Sequence, residues 1–334
     1  MDYRTLGRSG LKIAPIALGT MNFGGPTNAD EAREIVSVAV ASGINLIDTA
    51  DIYHGGESER ITGEAIRRLS CRDEILLATK GHGRTGDGPN DVGNSRHHIV
   101  RAAEASLRRL DVDVIDLYQI HRPQFDISQE ETLAALGHLV TSGKVRYVGC
   151  STHPAWLVME AIALSEKHGY PKYVTEQPPF NLLDRRIGNE LLPFAERHGL
   201  GILPWSPLAG GILAGRYNDM ERPSGSRRDR QRNHPFSARV TPRAVRAAQE
   251  VARIAAEVNL SPSQLSLAWV TNHPGVTAPI VGPRTISHLE DALGILDLKL
   301  EREILEELDG VNGPGEAVSD FFNAVEWMKS GPTL

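Results

Sequence analysis

The stretch Val114-Ile115-Asp116-Leu117-Tyr118-Gln119-Ile120-His121 is a short apolar run that ends on an imidazole. Two other places repeat the pattern. Ile44-Asn45-Leu46-Ile47 leads to Asp48, with Tyr53 in the loop beyond, and Ile75-Leu76-Leu77-Ala78-Thr79 leads to Lys80. Runs of this length, separated by longer amphipathic segments, read as buried strands of a parallel sheet. Working outward, strands are expected at 16–18, 44–48, 75–80, 114–120, 147–151, 173–177, 201–205 and 278–282. Helices are expected at 29–42, 58–69, 95–110, 129–142, 154–168, 189–198, 242–258, 262–271 and 286–294. Ile99, Ala103, Leu107 and Leu110 form one helical stripe, and Ser261, Pro262 and Gln264 spell a helix start with a capping box.

Strands that alternate with helices pair in parallel through right-handed crossovers. An open doubly wound sheet and a closed barrel both satisfy that rule. The strand count, and polar groups at the ends of successive strands, favour an α/β fold of the (β/α)8 TIM-barrel type, where such residues share one rim. The segments around Tyr3–Leu6 and Leu11–Ala14 flank Gly7-Arg8-Ser9-Gly10 as an N-terminal β-hairpin, expected to plug the bottom of the barrel. A long loop rich in Gly, Pro, Ser and Arg follows strand seven at 206–241, and a C-terminal tail at 311–334 carries Phe321, Phe322 and Trp327. One barrel domain is expected to span 1–334.

Net charge is −6, which argues against nucleic acid as a partner. The basic cluster Arg227, Arg228, Arg230 and Arg232 reads as a solvated loop. No apolar run approaches the roughly 18 residues of a membrane span. The first residues lack the apolar core of a signal peptide. Cys71 and Cys150 offer no disulfide framework, so a cytoplasmic setting is expected. The histidines show no recognised ligand spacing, and no metal is expected. Gly81-His82-Gly83-Arg84-Thr85-Gly86 matches a dinucleotide fingerprint in letters. The helix it would need at once is delayed to about residue 95 by Asp87-Gly88-Pro89-Asn90-Asp91, so a loop is the better reading. An acid, a phenol, an ammonium and an imidazole on one rim (Asp48, Tyr53, Lys80 and His121) make a site for proton transfer.

The chain resembles the aldo-keto reductases along nearly its whole length. The likeness is carried by Leu18-Gly19-Thr20-Met21, Asp48-Thr49-Ala50-Asp51-Ile52-Tyr53, Ala78-Thr79-Lys80, Ile115 to His121, and Pro204-Trp205-Ser206-Pro207-Leu208-Ala209-Gly210-Gly211. The resemblance implies a barrel that moves hydride between NADP(H) and a carbonyl–alcohol pair, with Tyr53, Lys80, Asp48 and His121 as the catalytic tetrad. The chemistry agrees. A carbonyl oxygen that gains charge needs a proton donor and oriented hydrogen bonds. A phenol is a weak acid, and a neighbouring ammonium favours its ionised form. A buried ammonium in turn needs a counter-ion, which Asp48 provides.

The same resemblance implies cofactor contacts at Gly19, Thr20, Met21, Asp48, Ser151, Thr152, Gln177, Trp205, Ser206, Leu208, Gly210 and Arg216. It places the adenosine end at Gly282, Arg284, His288 and Asp291. Arg284 matches a 2′-phosphate, which implies NADP rather than NAD. Thr152, His288 and Ala292 depart from the family pattern, the last two at adenine contacts. The substrate pocket is expected from Phe23, His54, Arg122 and Phe125, with Met21, Asn22 and the tail aromatics nearby. It takes a small-molecule carbonyl or alcohol. Two other classes remain open. The chain could be a nucleotide-binding regulatory subunit with little turnover, resembling potassium-channel β subunits. It could also be a Schiff-base enzyme built on Lys80, which a charged lysine disfavours.

Overall fold

The computed structural model describes residues 1–217 and 238–321. Eight parallel strands form a single sheet in sequence order, starting from the last: β10 (Ile280–Val281), β3 (Ala17–Gly19), β4 (Leu46–Asp48), β5 (Leu76–Gly81), β6 (Ile115–Ile120), β7 (Val145–Ser151), β8 (Tyr173–Gln177) and β9 (Gly201–Ile202). Backbone bonds from Thr277 N to Ile202 O (2.9 Å) and from Ile280 N to Pro204 O (2.8 Å) join β10 to β9, the two ends of this order. The ring is therefore a (β/α)8 barrel. Helices α1 (Ala29–Ala41), α2 (Glu57–Leu69), α3 (Arg96–Leu110), α4 (Gln129–Thr141), α5 (Ala155–His168), α6 (Leu191–His198), α7 (Pro242–Glu257), α8 (Pro262–Asn272) and α9 (Ile286–Leu293) surround it.

The short hairpin of β1 (Arg4–Thr5) and β2 (Lys12–Ile13) lies at the bottom. Leu6 and Ile13 are fully buried and pack on Ala17, Leu46, Ala78, Leu117, Leu203 and Ala278 in the barrel interior. A second, larger apolar layer fills the space between the strands and the helices. Small and branched residues inside and a broad aliphatic layer outside follow from strand alternation in a closed sheet.

Helix starts are set by local chemistry. Ser95 accepts a hydrogen bond from His98 N and caps α3, so the Gly81–Gly93 segment is a loop and not a phosphate-binding turn. Ser261 and Gln264 form the reciprocal capping box that opens α8, with Pro262 at its first position. Some elements differ from expectation. The strand read over 201–205 shrinks to two residues, and that over 278–282 likewise, because Pro204, Pro279 and Pro283 have no N–H to give to a ladder. A further helix, α10 (Arg302–Val311), was not anticipated; it buries Leu308 fully, and Ile304 and Val311 pack beside it on the same face, a helical spacing that the sequence does carry. Arg227, Arg228, Arg230, Arg232, Phe322 and Trp327 lie outside the described residues.

Candidate active site

Asp48 ends β4, Lys80 is the penultimate residue of β5 and His121 directly follows β6. In-register pairing aligns Asp48 with Ala78 and Lys80 with Gln119, which brings these ends to one rim. Lys80 is fully buried. Its Nζ donates to Asp48 Oδ1 at 2.5 Å, to the Thr49 carbonyl at 2.7 Å and to Tyr53 Oη at 3.4 Å. Tyr53 opens the turn Tyr53–Gly56, in which His54 adopts φ 49°. The His121 ring meets the Tyr53 ring edge-on, with centroids 5.9 Å apart. The four predicted tetrad residues thus converge.

Electrostatics follow from burial and charge. Burial pulls the Lys80 pKa down, but the Asp48 charge and then Tyr53 outweigh it and hold the ammonium above its ordinary value. A lysine so held is a poor nucleophilic amine. Burial, helped by Arg122 and Lys80, drives His121 well below the ordinary imidazole range, so it is neutral. Burial also pushes the Asp51 carboxyl up to about 7, with Glu59 adding to the shift. Both its oxygens are buried and make no hydrogen bond among the described residues. Its backbone N–H donates to the Lys80 carbonyl at 3.1 Å, directly behind the site.

Two side-chain amides hold Asp48. Its Oδ2 accepts from Gln177 Nε2 at 2.9 Å and from Gln119 Nε2 at 3.1 Å. Gln119 has no expected role in the sequence reading. Gly149 makes room for it: a Cβ there would meet Thr175 Oγ1 at 2.1 Å and Gln119 Cγ at 3.2 Å. Register could have found it, because Gln119 lies beside Lys80 on the inner face,.

The expected cofactor residues occupy the same rim. Gly19 ends β3, and Thr20 Oγ1 is 2.8 Å from Ser58 Oγ. Ser151 Oγ donates to the Gln177 carbonyl at 2.8 Å, and Thr152 follows with φ 60°. Trp205 Nε1 is a buried donor with no partner among the described residues. After it, Ser206 has φ 55°, and the backbone changes hand from Leu208, with φ −97°, to Ala209 and Gly210, with φ 51° and 67°. Such a change of hand turns successive amides to one side and makes a concave anion site, and a glycine suits its left-handed end. An unspent indole donor beside an amide nest fits a nucleotide cofactor. Farther along, Arg216 donates to His288 Nε2 at 3.0 Å, with Asp291 near that imidazole. The carbonyls of Gly282 and Arg284 accept from Asn22 Nδ2 (2.9 Å) and Thr27 Oγ1 (3.0 Å). Sequence reasoning also missed Asn181, whose amide holds the Ser206 carbonyl at 3.1 Å.

The pocket residues divide. His54 and Met21 lie at the mouth, with His54 Nε2 3.1 Å from the Met21 carbonyl. Arg122 donates to the His121 carbonyl at 2.7 Å and to Thr152 Oγ1 at 3.2 Å, and burial lowers its pKa to about 10. Phe125 stacks on exposed Trp156. Phe23 does not line the pocket as expected. It is fully buried in the layer between strands and helices, because its backbone turns back on Thr20 and Thr27. Phe321 packs its ring 6.4 Å from that of Trp205, and Ala292 is buried in the core.

A family model described as the aldo/keto reductase family matches residues 15–313. The chain is 36% identical over 325 residues to the protein named "Uncharacterized oxidoreductase YrpG" of Bacillus subtilis, covering 94% of this chain and 97% of that one. It is 34% identical to the "Probable voltage-gated potassium channel subunit beta" of Arabidopsis thaliana, covering 89% and 92%. It is 32% identical to the versiconal hemiacetal acetate reductase of Aspergillus parasiticus, covering 92% and 96%. The barrel and the match over most of its length define the class: the chain belongs to the aldo/keto reductase family. It is accordingly an oxidoreductase of a family that reduces carbonyl compounds with nicotinamide cofactors. Among the described residues, no helix is long and apolar enough to cross a membrane.

Proposed function

We propose that the protein is an NADP(H)-dependent reductase that converts an aldehyde or ketone to an alcohol, reversibly, with Tyr53 as the proton donor. The observation that carries this reading is the Lys80 ammonium, which spans Asp48 Oδ1 at 2.5 Å and Tyr53 Oη at 3.4 Å. When bound, NADPH supplies the hydride. Tyr53 gives its hydroxyl proton to the substrate oxygen, and Lys80 stabilises the phenolate charge left behind. Asp48 keeps the ammonium charged and in place, and is itself oriented by Gln119 and Gln177. Neutral His121 donates a second hydrogen bond to the same oxygen and fixes its orientation.

Ser151 and Gln177 hold the nicotinamide amide, and Trp205 stacks on the ring. The nest at Leu208–Gly210 and Arg216 take the pyrophosphate. Gly282, Arg284, His288 and Asp291 take the adenosine end, where the Arg284 guanidinium selects a 2′-phosphate. The chain acts as one domain in a reducing cytoplasm, a setting consistent with two buried, unpaired cysteines. The test is Tyr53→Phe: NADPH fluorescence titration unchanged, and turnover on an aldehyde panel lowered on the order of 10²-fold or more. Full turnover in this variant rejects the reading.

The likeness to the potassium channel subunit beta of Arabidopsis thaliana supports a second reading. Here the nucleotide is held with little turnover, and its bound state regulates a partner. Tight NADPH binding without oxidation across a broad carbonyl panel would select this reading over the first.

A further inference from the structure

A second polar cluster lies on the opposite side of the strands from the tetrad. Cys150 and Glu176 are register partners in β7 and β8, each one residue before a proposed nicotinamide contact, Ser151 or Gln177. Alternation therefore turns them away from the barrel axis, and Cys150 belongs to the outer apolar layer. His153 lies in the turn before α5. All three side chains are buried, and the thiol sulfur, a ring nitrogen and a carboxylate oxygen lie within 4.8 Å of one another.

His153 and Glu176 are fixed through their other atoms, and the Cys150 thiol donates to the Thr175 carbonyl at 3.7 Å, a proton that metal binding would displace. The His153 backbone N–H donates to Glu176 Oε1 at 2.9 Å. His153 Nδ1 donates to the Ser151 carbonyl at 2.9 Å, which leaves the lone pair on Nε2. This is the outer hydrogen bond that orients metal-binding imidazoles. Glu176 Oε2 is fully buried and has no partner among the described residues. Tyr173 Oη has none either, and its ring meets that of His153 at 6.1 Å. Buried polar atoms are rarely left unsatisfied, and two beside a thiol and an imidazole call for an electrophile.

We propose that Cys150 Sγ, His153 Nε2 and Glu176 Oε2 bind one divalent transition-metal ion of the zinc class, with a fourth position for water or the Tyr173 hydroxyl. Sulfur, nitrogen and oxygen donors in a compact set suit a tetrahedral borderline cation. The thiol and the carboxyl each release a proton, so thiolate and carboxylate balance the dication and no net charge is buried. The ion ties the ends of β7 and β8 together beneath Ser151 and Gln177. Its role is structural, since the three donors face away from the tetrad. Sequence spacing conceals the set, because parallel pairing brings Glu176 to Cys150 and His153.

The test is metal content and spectroscopy of the full chain. Protein from zinc-supplemented medium, dialysed free of loose metal, should hold about one ion per chain by mass spectrometry. Protein from cobalt medium should show a thiolate-to-cobalt band and intense tetrahedral visible bands. Cys150→Ser should abolish the thiolate band, Glu176→Gln and His153→Gln should each lower metal content several-fold, and Cys71→Ser should change neither. Folded wild-type protein without stoichiometric metal overturns the proposal, as does metal content undiminished by Glu176→Gln and His153→Gln. If Cys150→Ser does not fold, the wild-type content and cobalt spectrum decide.

Discussion

The two ends of the barrel use the same strands in opposite ways. At the bottom, the side chains of Leu6 and Ile13 fill the interior with apolar contacts. At the top, the interior holds an ammonium, a carboxylate and two amides, all buried. The bottom is stabilised by removing apolar surface from water, about 25 cal/mol per Å². The top gains little net stability, because desolvating an ion pair costs about as much as its attraction returns. Hence the bottom can be altered without touching chemistry, whereas a change at the top disturbs both stability and turnover.

Four perturbations sharpen this contrast. The largest effect is expected from Lys80→Met, which strands Asp48 in a buried site. Turnover should fall by at least 10²-fold, and urea denaturation should report a loss of about 3–5 kcal/mol. Next, Leu6→Ala should cost about 2–5 kcal/mol in the same assay, with kcat and NADPH affinity unchanged in the fraction that remains folded. A large loss of kcat there would erase the distinction between the two ends.

A smaller effect should come from Asp51, which lies behind the site with its carboxyl raised from 3.8 to about 7. A raised acid binds its proton more tightly folded than unfolded, so its contribution to stability is highest at low pH. That contribution declines as pH rises from near 3.8 to about 7 and then levels off,. Asp51→Asn should remove this decline and gain up to a few kcal/mol at pH 8 relative to pH 4. Thermal melts of both proteins across that range provide the check, and parallel curves would show that Asp51 is ionised in the fold. The mildest expected change is Arg284→Ala. It should weaken NADPH by about 10- to 100-fold, since a charge-assisted hydrogen bond contributes about 1.5–3 kcal/mol, and leave NADH nearly untouched. Equal weakening of both nucleotides would remove Arg284 from the 2′-phosphate.

The barrel was legible because short, mostly apolar runs alternate with helices and three of them lead directly to Asp48, Lys80 and His121. Asp48, Lys80 and His121 needed only parallel pairing to meet, and pairing follows from alternation with helices. What depends on side-chain direction was harder to read. Phe23 next to Met21 looks like a wall of the mouth, yet a turn of two residues sends it into the core. Gln119 was hidden among apolar neighbours, and only its register with Lys80 reveals that it faces the carboxylate. Strand ends flanked by Pro204, Pro279 and Pro283 were overextended, because a run of apolar letters does not record missing donors.

The bottom hairpin also bears on how the chain is made. Arg4 donates to the carbonyls of Thr271 and Thr277, and the Arg8 amide to that of Gly199. Its partners are thus translated long after it, and contacts so distant along the chain close slowly. During synthesis Leu6 and Ile13 can meet Ala17, Leu46, Ala78 and Leu117 early, but Leu203 and Ala278, which complete their cover, arrive much later. Sealing the floor of the cylinder is therefore a late event in biogenesis, and the interval before it is when a chaperone would find most to hold.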